Sequence, residues 1–444
     1  MRPGRFGWPA PAAAAGAAAA AFVASLGVVG ADALWLVPLG GRVARGAVPA
    51  SIPYAAAQSS GWRNVTVAAQ LLFWAAYHAF GGVRGLVVLQ AVAAAVAVGA
   101  LAGGVRRQAT PGAALMVSLL VIVGALPELA VANAALFSLA LFPILLALLE
   151  ADGSVASARI WVAVPLIAAW ANLHGAVLAG WALLGCYLLI GRLRRRGESL
   201  AVFAAATVAL FLNPALWHTP SYYSGVFRSA AAQRHIGLWA HLGATPFDVL
   251  LIVAAVAATA AAVRRRSFAP WEAVAAAGLA VATVDVARNG VFLLFLLAYP
   301  AARCLSRAGP RPRLLVVAAA ALGAGAVAAL IGGAPDPGSW SLARVAAESG
   351  GVVLAEPVLA QQVALAGGRV WMTNPLDAFR REDQRVYVDW FSGKPGGASA
   401  VRHAQLVLVR AGSAAGKRAR VDGRLVLLRA GDGAVAYRVR AAGR

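Results

Sequence analysis

Acidic residues are scarce in this chain. Against 39 lysines and arginines it has 17 aspartates and glutamates, and only 13% of its 444 residues are charged. Eight of the acids precede residue 334: Asp32, Glu128, Glu150, Asp152, Glu198, Asp248, Glu272 and Asp285. The two cysteines, Cys186 and Cys304, both fall in apolar stretches, which excludes a disulfide framework and a thiolate metal motif. No glycine-rich phosphate fingerprint, no repeat of 20–50 residues and no low-complexity linker interrupts the chain. What is abundant is apolar: 61% of the residues are hydrophobic and the mean hydropathy is +0.74. A soluble protein of this length has no core large enough to hide that surface, so the sequence reads as an α-helical polytopic membrane protein.

The net charge of +22 does not make this a nucleic-acid binder. Its arginines flank apolar spans, at Arg106-Arg107, Arg192 to Arg196, Arg264 to Arg266 and Arg303 to Arg313, as cytoplasmic anchors do. Apolar stretches lie near 12–31, 84–105, 112–127, 130–149, 159–173, 175–191, 199–212, 246–263, 270–285, 290–305 and 313–332. Val29-Gly30-Ala31 offers a weak signal-cleavage site, but a retained first helix fits the many later spans better. The segment 65–81 is ambiguous. If it crossed the bilayer, every later basic loop would face outward. With Gln70, Trp74, Tyr77 and His78 among leucines and alanines, it reads as an interfacial helix instead. About eleven spans follow, with the N-terminus cytoplasmic and the C-terminus outside the cell membrane.

That topology gathers Asp32, Glu128, His174, Asp285, Arg288 and the loop 213–246 at the external ends of spans. Glu150, Asp152, Glu198 and Glu272 come out inside. A one-sided gathering of rare polar groups marks a site at the outer face. The domain boundary falls at 333. Residues 1–333 form the transmembrane domain, with an outer loop over 32–83. Residues 334–444 hold the other nine acids and form a small extracytoplasmic α/β domain. There the pattern predicts strands at 352–356, 368–372 and 405–410, helices at 359–366 and 382–390, and a hairpin joining 425–429 to 434–440.

The outer loop reads Asp32-Ala-Leu-Trp35, Gly40-Gly-Arg42, Trp62-Arg-Asn64, the interfacial helix, then Gly81 and Arg84. In order, these resemble the first external loop of GT-C membrane glycosyltransferases, a class that includes the protein mannosyltransferases and aminoarabinose transferases. Trp170-Ala-Asn172-Leu-His174-Gly175 and the run from Trp371 through Asn374 and Asp377 to Tyr387 are similar to segments of an uncharacterised actinobacterial-type group with that architecture. The resemblance implies a GT-C-like fold and transfer of a hexosyl or pentosyl group from a polyprenyl-phosphate donor. The acceptor would be an envelope lipid, polysaccharide or protein. It makes Asp32 the catalytic carboxylate. Arg288 would bind the phosphate, with His174, Arg234 and His235 behind it, and Trp62, Asn172 and Tyr223 also line the substrate site.

Two departures weigh against a divalent metal. Asp32 stands alone between Ala31 and Ala33, and Asn64, Val65 and Thr66 occupy the place where many relatives carry a glutamate. A lone carboxylate holds a divalent ion poorly. Structural roles compete at several positions. Asp285 stands one turn before Arg288, at a spacing that lets the two pair. Asn374 and Asp377 read locally as a turn and helix cap. A transporter or lipid carrier without chemistry, and a scaffold of an envelope-assembly complex, remain the alternatives to an enzyme.

Overall fold

The computed structural model describes residues 32–308 and 340–440, save 60, 155 and 432, together with parts of 15–30. Most of the expected span 12–31, and all of 313–332, lie outside the described residues. The chain divides into a helical unit (1–28, 80–216, 237–334) and an α/β unit (29–79, 217–236, 335–444).

In the helical unit every expected span from 84 to 305 is occupied by a helix, but not all are of spanning length. Four described helices are long and apolar enough to cross a membrane: Val83–Val105, Leu136–Gly153, Pro246–Arg264 and Ala287–Ser306. A fifth span counts if Val177–Gly191 and Leu193–Ala209, bent by 88° at Arg192, are taken together. Pro111–Gly124 has 14 residues and rises only about 21 Å, short of a ~30 Å hydrocarbon layer. Among the described residues, then, four or five helices are of spanning length and the other stretches read as spans carry shorter ones. Helix starts follow local chemistry. Thr110 accepts from Ala113 N ahead of Pro111, and Thr245 forms a capping box with Asp248 ahead of Pro246.

The interior of this unit is apolar, with Phe142 against Phe292 and Trp170. At Gly180 an added Cβ would sit 2.4 Å from the Trp170 ring, so the glycine is what lets that helix approach. The four acids Glu150, Asp152, Glu198 and Glu272 are each paired with one of two arginines. Arg192 meets Asp152 at 2.7 Å and Glu198 at 3.0 Å. Arg303 bonds Glu272 and reaches Glu150 at 3.3 Å and the Gln108 amide oxygen at 2.8 Å. Burying those carboxylates requires such partners.

In the α/β unit the sheet contains β1 (Val352–Ala355), β2 (Arg369–Val370), β3 (Leu406–Arg410), β4 (Leu425–Gly431) and β5 (Ala434–Val439). Their order is β2-β1-β3-β5-β4, parallel across β2-β1-β3 and antiparallel thereafter. The Pro357–Leu365 and Arg381–Phe391 helices make the crossovers, as parallel neighbours require. Two further helices, Trp340–Glu348 and Ala414–Val421, had no counterpart in the sequence reading.

The outer loop is built into this same unit. The expected interfacial helix is present as Val67–Ala79, and it packs on the helix Leu36–Ala44. Contact is backbone-close at Gly40, where a Cβ would lie 2.0 Å from the Gln70 carbonyl oxygen. The strand-like stretch 54–57 then extends the sheet beyond β2. Val370 N donates to Tyr54 O (2.9 Å), Ala56 N to Val370 O (2.7 Å) and Ala57 N to Trp371 O (2.9 Å). These main-chain bonds fix where the first loop meets the segment after β2.

Candidate active site

Asp32 opens a turn that leads into the Leu36–Ala44 helix, and it is half-buried. Its carboxylate is held from far along the chain: Asn374 Nδ2 donates to Asp32 Oδ1 at 2.6 Å. An ionised carboxylate only accepts, so the amide offers its nitrogen and stabilises the charge. Three residues on, Trp35 N donates to Gln361 Oε1 at 3.3 Å. The Trp35 ring meets Trp62 edge-on at 6.5 Å.

Trp62 connects to a second acid. Its indole Nε1 donates to Asp377 Oδ2 at 3.3 Å. Asp377 lies in the single turn Leu376–Ala378, which packs on the Thr219–Phe227 helix. Burial raises the Asp377 carboxyl to about 6, the Trp62 bond and its own backbone oppose the rise, and the charge of Asp32 adds to it. Burial also pushes the Tyr222 phenol far up, with Asp377, Tyr223 and Asp32 contributing. Asp32, Asp377 and Tyr222 thus act on one another electrostatically. The local reading of Asn374 and Asp377 as a turn and cap is corrected here: both side chains reach into the first loop.

Asn64, in the loop position where a second acid was missing, is committed elsewhere. It exchanges hydrogen bonds with Gln70 at 2.9 and 2.6 Å, both side chains buried. The amide pair ties the loop to the interfacial helix.

The other expected site residues divide between the units. Tyr223 is buried beside Tyr222 at 5.3 Å and stacks on Phe227. Arg234 grips Asp389 with both terminal nitrogens, Nη2 to Oδ2 at 3.2 Å, so its guanidinium serves the α/β unit's own packing. His235 follows it in the left-handed region, at φ 50°. In the helical unit, His174 Nδ1 lies 2.8 Å from Ser138 Oγ, which also accepts from Trp170 Nε1 at 2.7 Å. The Asn172 amide bridges the Ala168 and Leu212 carbonyls at 2.9 and 2.6 Å. Arg288 lies over the Trp239 ring, 4.5 Å from its centre, and Asp285 stands 3.9 Å from His241. Gln361, Asn374, Asp377 and Tyr222 are the residues that sequence reasoning left out of the site. The one signal for two of them was the motif running from Trp371 to Tyr387.

No protein-family model and no curated protein matches the chain in sequence. Two solved structures share its fold over nearly the full length. ArnT from Cupriavidus metallidurans bound to undecaprenyl phosphate aligns at a TM-score of 0.57 and 14% identity, covering 95% of this chain and 96% of that one. The same protein in its apo state aligns at 0.57 and 13%, covering 94% and 95%. The likeness establishes the fold, that of a multi-pass membrane protein. It meets the resemblance to GT-C membrane glycosyltransferases drawn from the sequence.

Proposed function

We propose that the protein is a glycosyltransferase. It moves a hexosyl or pentosyl group from a polyprenyl-phosphate donor to an envelope lipid, polysaccharide or protein at the outer membrane face. The observation that carries this reading is the carboxylate of Asp32, presented just after the first apolar segment and held at 2.6 Å by Asn374. The fold is shared with a protein whose structure contains undecaprenyl phosphate, which supports a lipid-phosphate donor.

The step is a single displacement. Asp32 takes the proton of the acceptor hydroxyl as that oxygen attacks the anomeric carbon. The bond from that carbon to the phosphate oxygen breaks, and its electron pair leaves with the lipid phosphate. That charge calls for a cation, and the planar fork of an arginine suits phosphate oxygens. Asn374 holds the Asp32 carboxylate by a hydrogen bond to Oδ1. Tyr223 and Trp62 supply rings beside the site. The sidedness proposed with it has the N-terminus cytoplasmic and the α/β unit extracytoplasmic.

The test compares envelope glycolipids and polysaccharides of a deletion strain carrying wild type or Asp32→Asn at matched membrane levels. A sugar restored by wild type alone supports transfer. Restoration by both moves the lipid-carrier and scaffold readings ahead.

A further inference from the structure

We infer that Asp377, supplied by the segment after β2, is the second carboxylate of the reaction centre, a positioning residue that sets how strongly Asp32 holds a proton. The inference rests on the proposed role of Asp32 as general base. An isolated aspartate, with an ordinary pKa of ~3.9, is a weak base toward a sugar hydroxyl. The first loop has no other acid to strengthen it.

The structure provides one through crossed contacts. Asn374 and Asp377 are neighbours in one segment, and Asp32 and Trp62 share the first loop. Asn374 holds Asp32 at 2.6 Å, and Trp62 holds Asp377 at 3.3 Å. Each acid is gripped by a residue from the other's segment, so the same two stretches of chain hold both carboxyl groups, and the charge of Asp32 is felt at Asp377. Two adjacent carboxylates do not both ionise freely. Where Asp377 is ionised, its charge raises the affinity of Asp32 for the acceptor's proton. The raised Asp377 carboxyl, with Asp32 among its causes, is consistent with that coupling.

Among the described residues, two helices packed against this turn carry further titratable groups. From the Thr219–Phe227 helix comes Tyr222, with Tyr223 beside it. The Arg381–Phe391 helix brings Arg381, Glu382 and Arg385, all exposed, and half-buried Asp383. A second observation points to a ligand at this place. Trp35 Nε1 and Gln361 Nε2 are buried, and neither has a hydrogen-bond partner among the described residues. Buried donors of this kind await acceptor oxygens, which a sugar or a phosphate carries in plenty. In the transfer itself Asp377 gains and loses nothing. The acceptor's proton passes to Asp32, and the pair of electrons leaves with the phosphate.

The test uses purified full-length protein added to membranes of the deletion strain, which carry donor and acceptor together. The initial rate of sugar incorporation is followed from pH 4.5 to 8.5, roughly the range over which such a pair titrates. Asp377→Asn keeps an oxygen for Trp62 and removes only the charge. It is expected to lower the plateau rate about tenfold and to move the acid limb at least ~1 pH unit lower, because Asp32 reverts toward an ordinary aspartate. Asp377→Glu should fall between that variant and wild type. If Asp377→Asn does not accumulate, Asp377→Glu decides alone, since displacing the carboxylate must still move the limb. An unmoved limb with full rate in the Asp377 variants, while Asp32→Asn is inactive, overturns the inference and leaves Asp32 standing. Full activity in Asp32→Asn removes the base itself, and with it the role given to Asp377.

Discussion

Asn374→Asp is the most revealing single-atom change this structure offers. It swaps an amide nitrogen for an oxygen 2.6 Å from Asp32 Oδ1 and leaves the shape almost untouched. The native contact is a charge-assisted hydrogen bond, worth ~1.5–3 kcal/mol. The variant replaces it with two carboxyl groups in contact, and these persist only by sharing a proton. The sign follows from linkage. A shared proton raises the folded-state pKa of one carboxyl above its unfolded value. The variant's stability is therefore fully present below the unfolded pKa and is lost as pH rises through the folded one. Thermal unfolding in lipid nanodiscs at pH 5 and pH 8 reads this directly. Relative to wild type, the variant should be destabilised by roughly 2–3 kcal/mol at pH 8 and by clearly less at pH 5. Equal melting of variant and wild type at both pH values would mean that Asn374 and Asp32 do not meet, and the site described above would dissolve.

Other substitutions probe the parts that support the site. Arg303→Ala leaves Glu150 and Glu272 buried without their cation, a loss of about 3–5 kcal/mol by denaturant unfolding, whereas an Arg303→Ala/Glu150→Gln/Glu272→Gln triple variant should recover part of it. Gly40→Val drives a side chain into the Gln70 carbonyl and should cost roughly 1–3 kcal/mol, read as earlier protease cleavage within 44–67. Trp62→Phe removes the donor to Asp377, a loss of about 1–3 kcal/mol at neutral pH. Because the Asp377 carboxyl is already raised to about 6, wild type should gain stability as pH falls from 7 toward 5, and Asp377→Asn should flatten that rise.

Much of the helical unit was legible because an apolar run is its own signal. Each stretch read as a span between 84 and 305 carries a helix, though Val131–Ala132 within one of them is strand, and Val67–Ala79 is the helix read as interfacial. Length was the harder property. Runs such as 112–127 are apolar beyond the helix itself, so the eye overestimates how much of them crosses a bilayer. All five strands, β2 within the stretch read as 368–372, and both crossover helices were legible from alternation and turn residues. Ala414–Val421 was not, since AAGKRARV carries a glycine, three basic residues and little apolar face. The site shows the limit most clearly. Asp32 could be chosen because it is the lone acid of its loop. Asn374 could not be tied to it, because they stand 342 residues apart and local spacing says nothing about such a pair. Arg234 shows the same limit: its charge was visible, but its partner, Asp389, lies in a helix 155 residues away.

The most direct test of the account is sugar transfer by purified wild type and Asp32→Asn in deletion-strain membranes, with melting temperature measured on the same samples. Asn at 32 can still accept from Asn374, so the fold should hold within about 1–2 kcal/mol. The rate should fall by about 10²–10⁴, the usual worth of a general base. A variant that melts like wild type and transfers sugar at the wild-type rate would contradict the account at its centre.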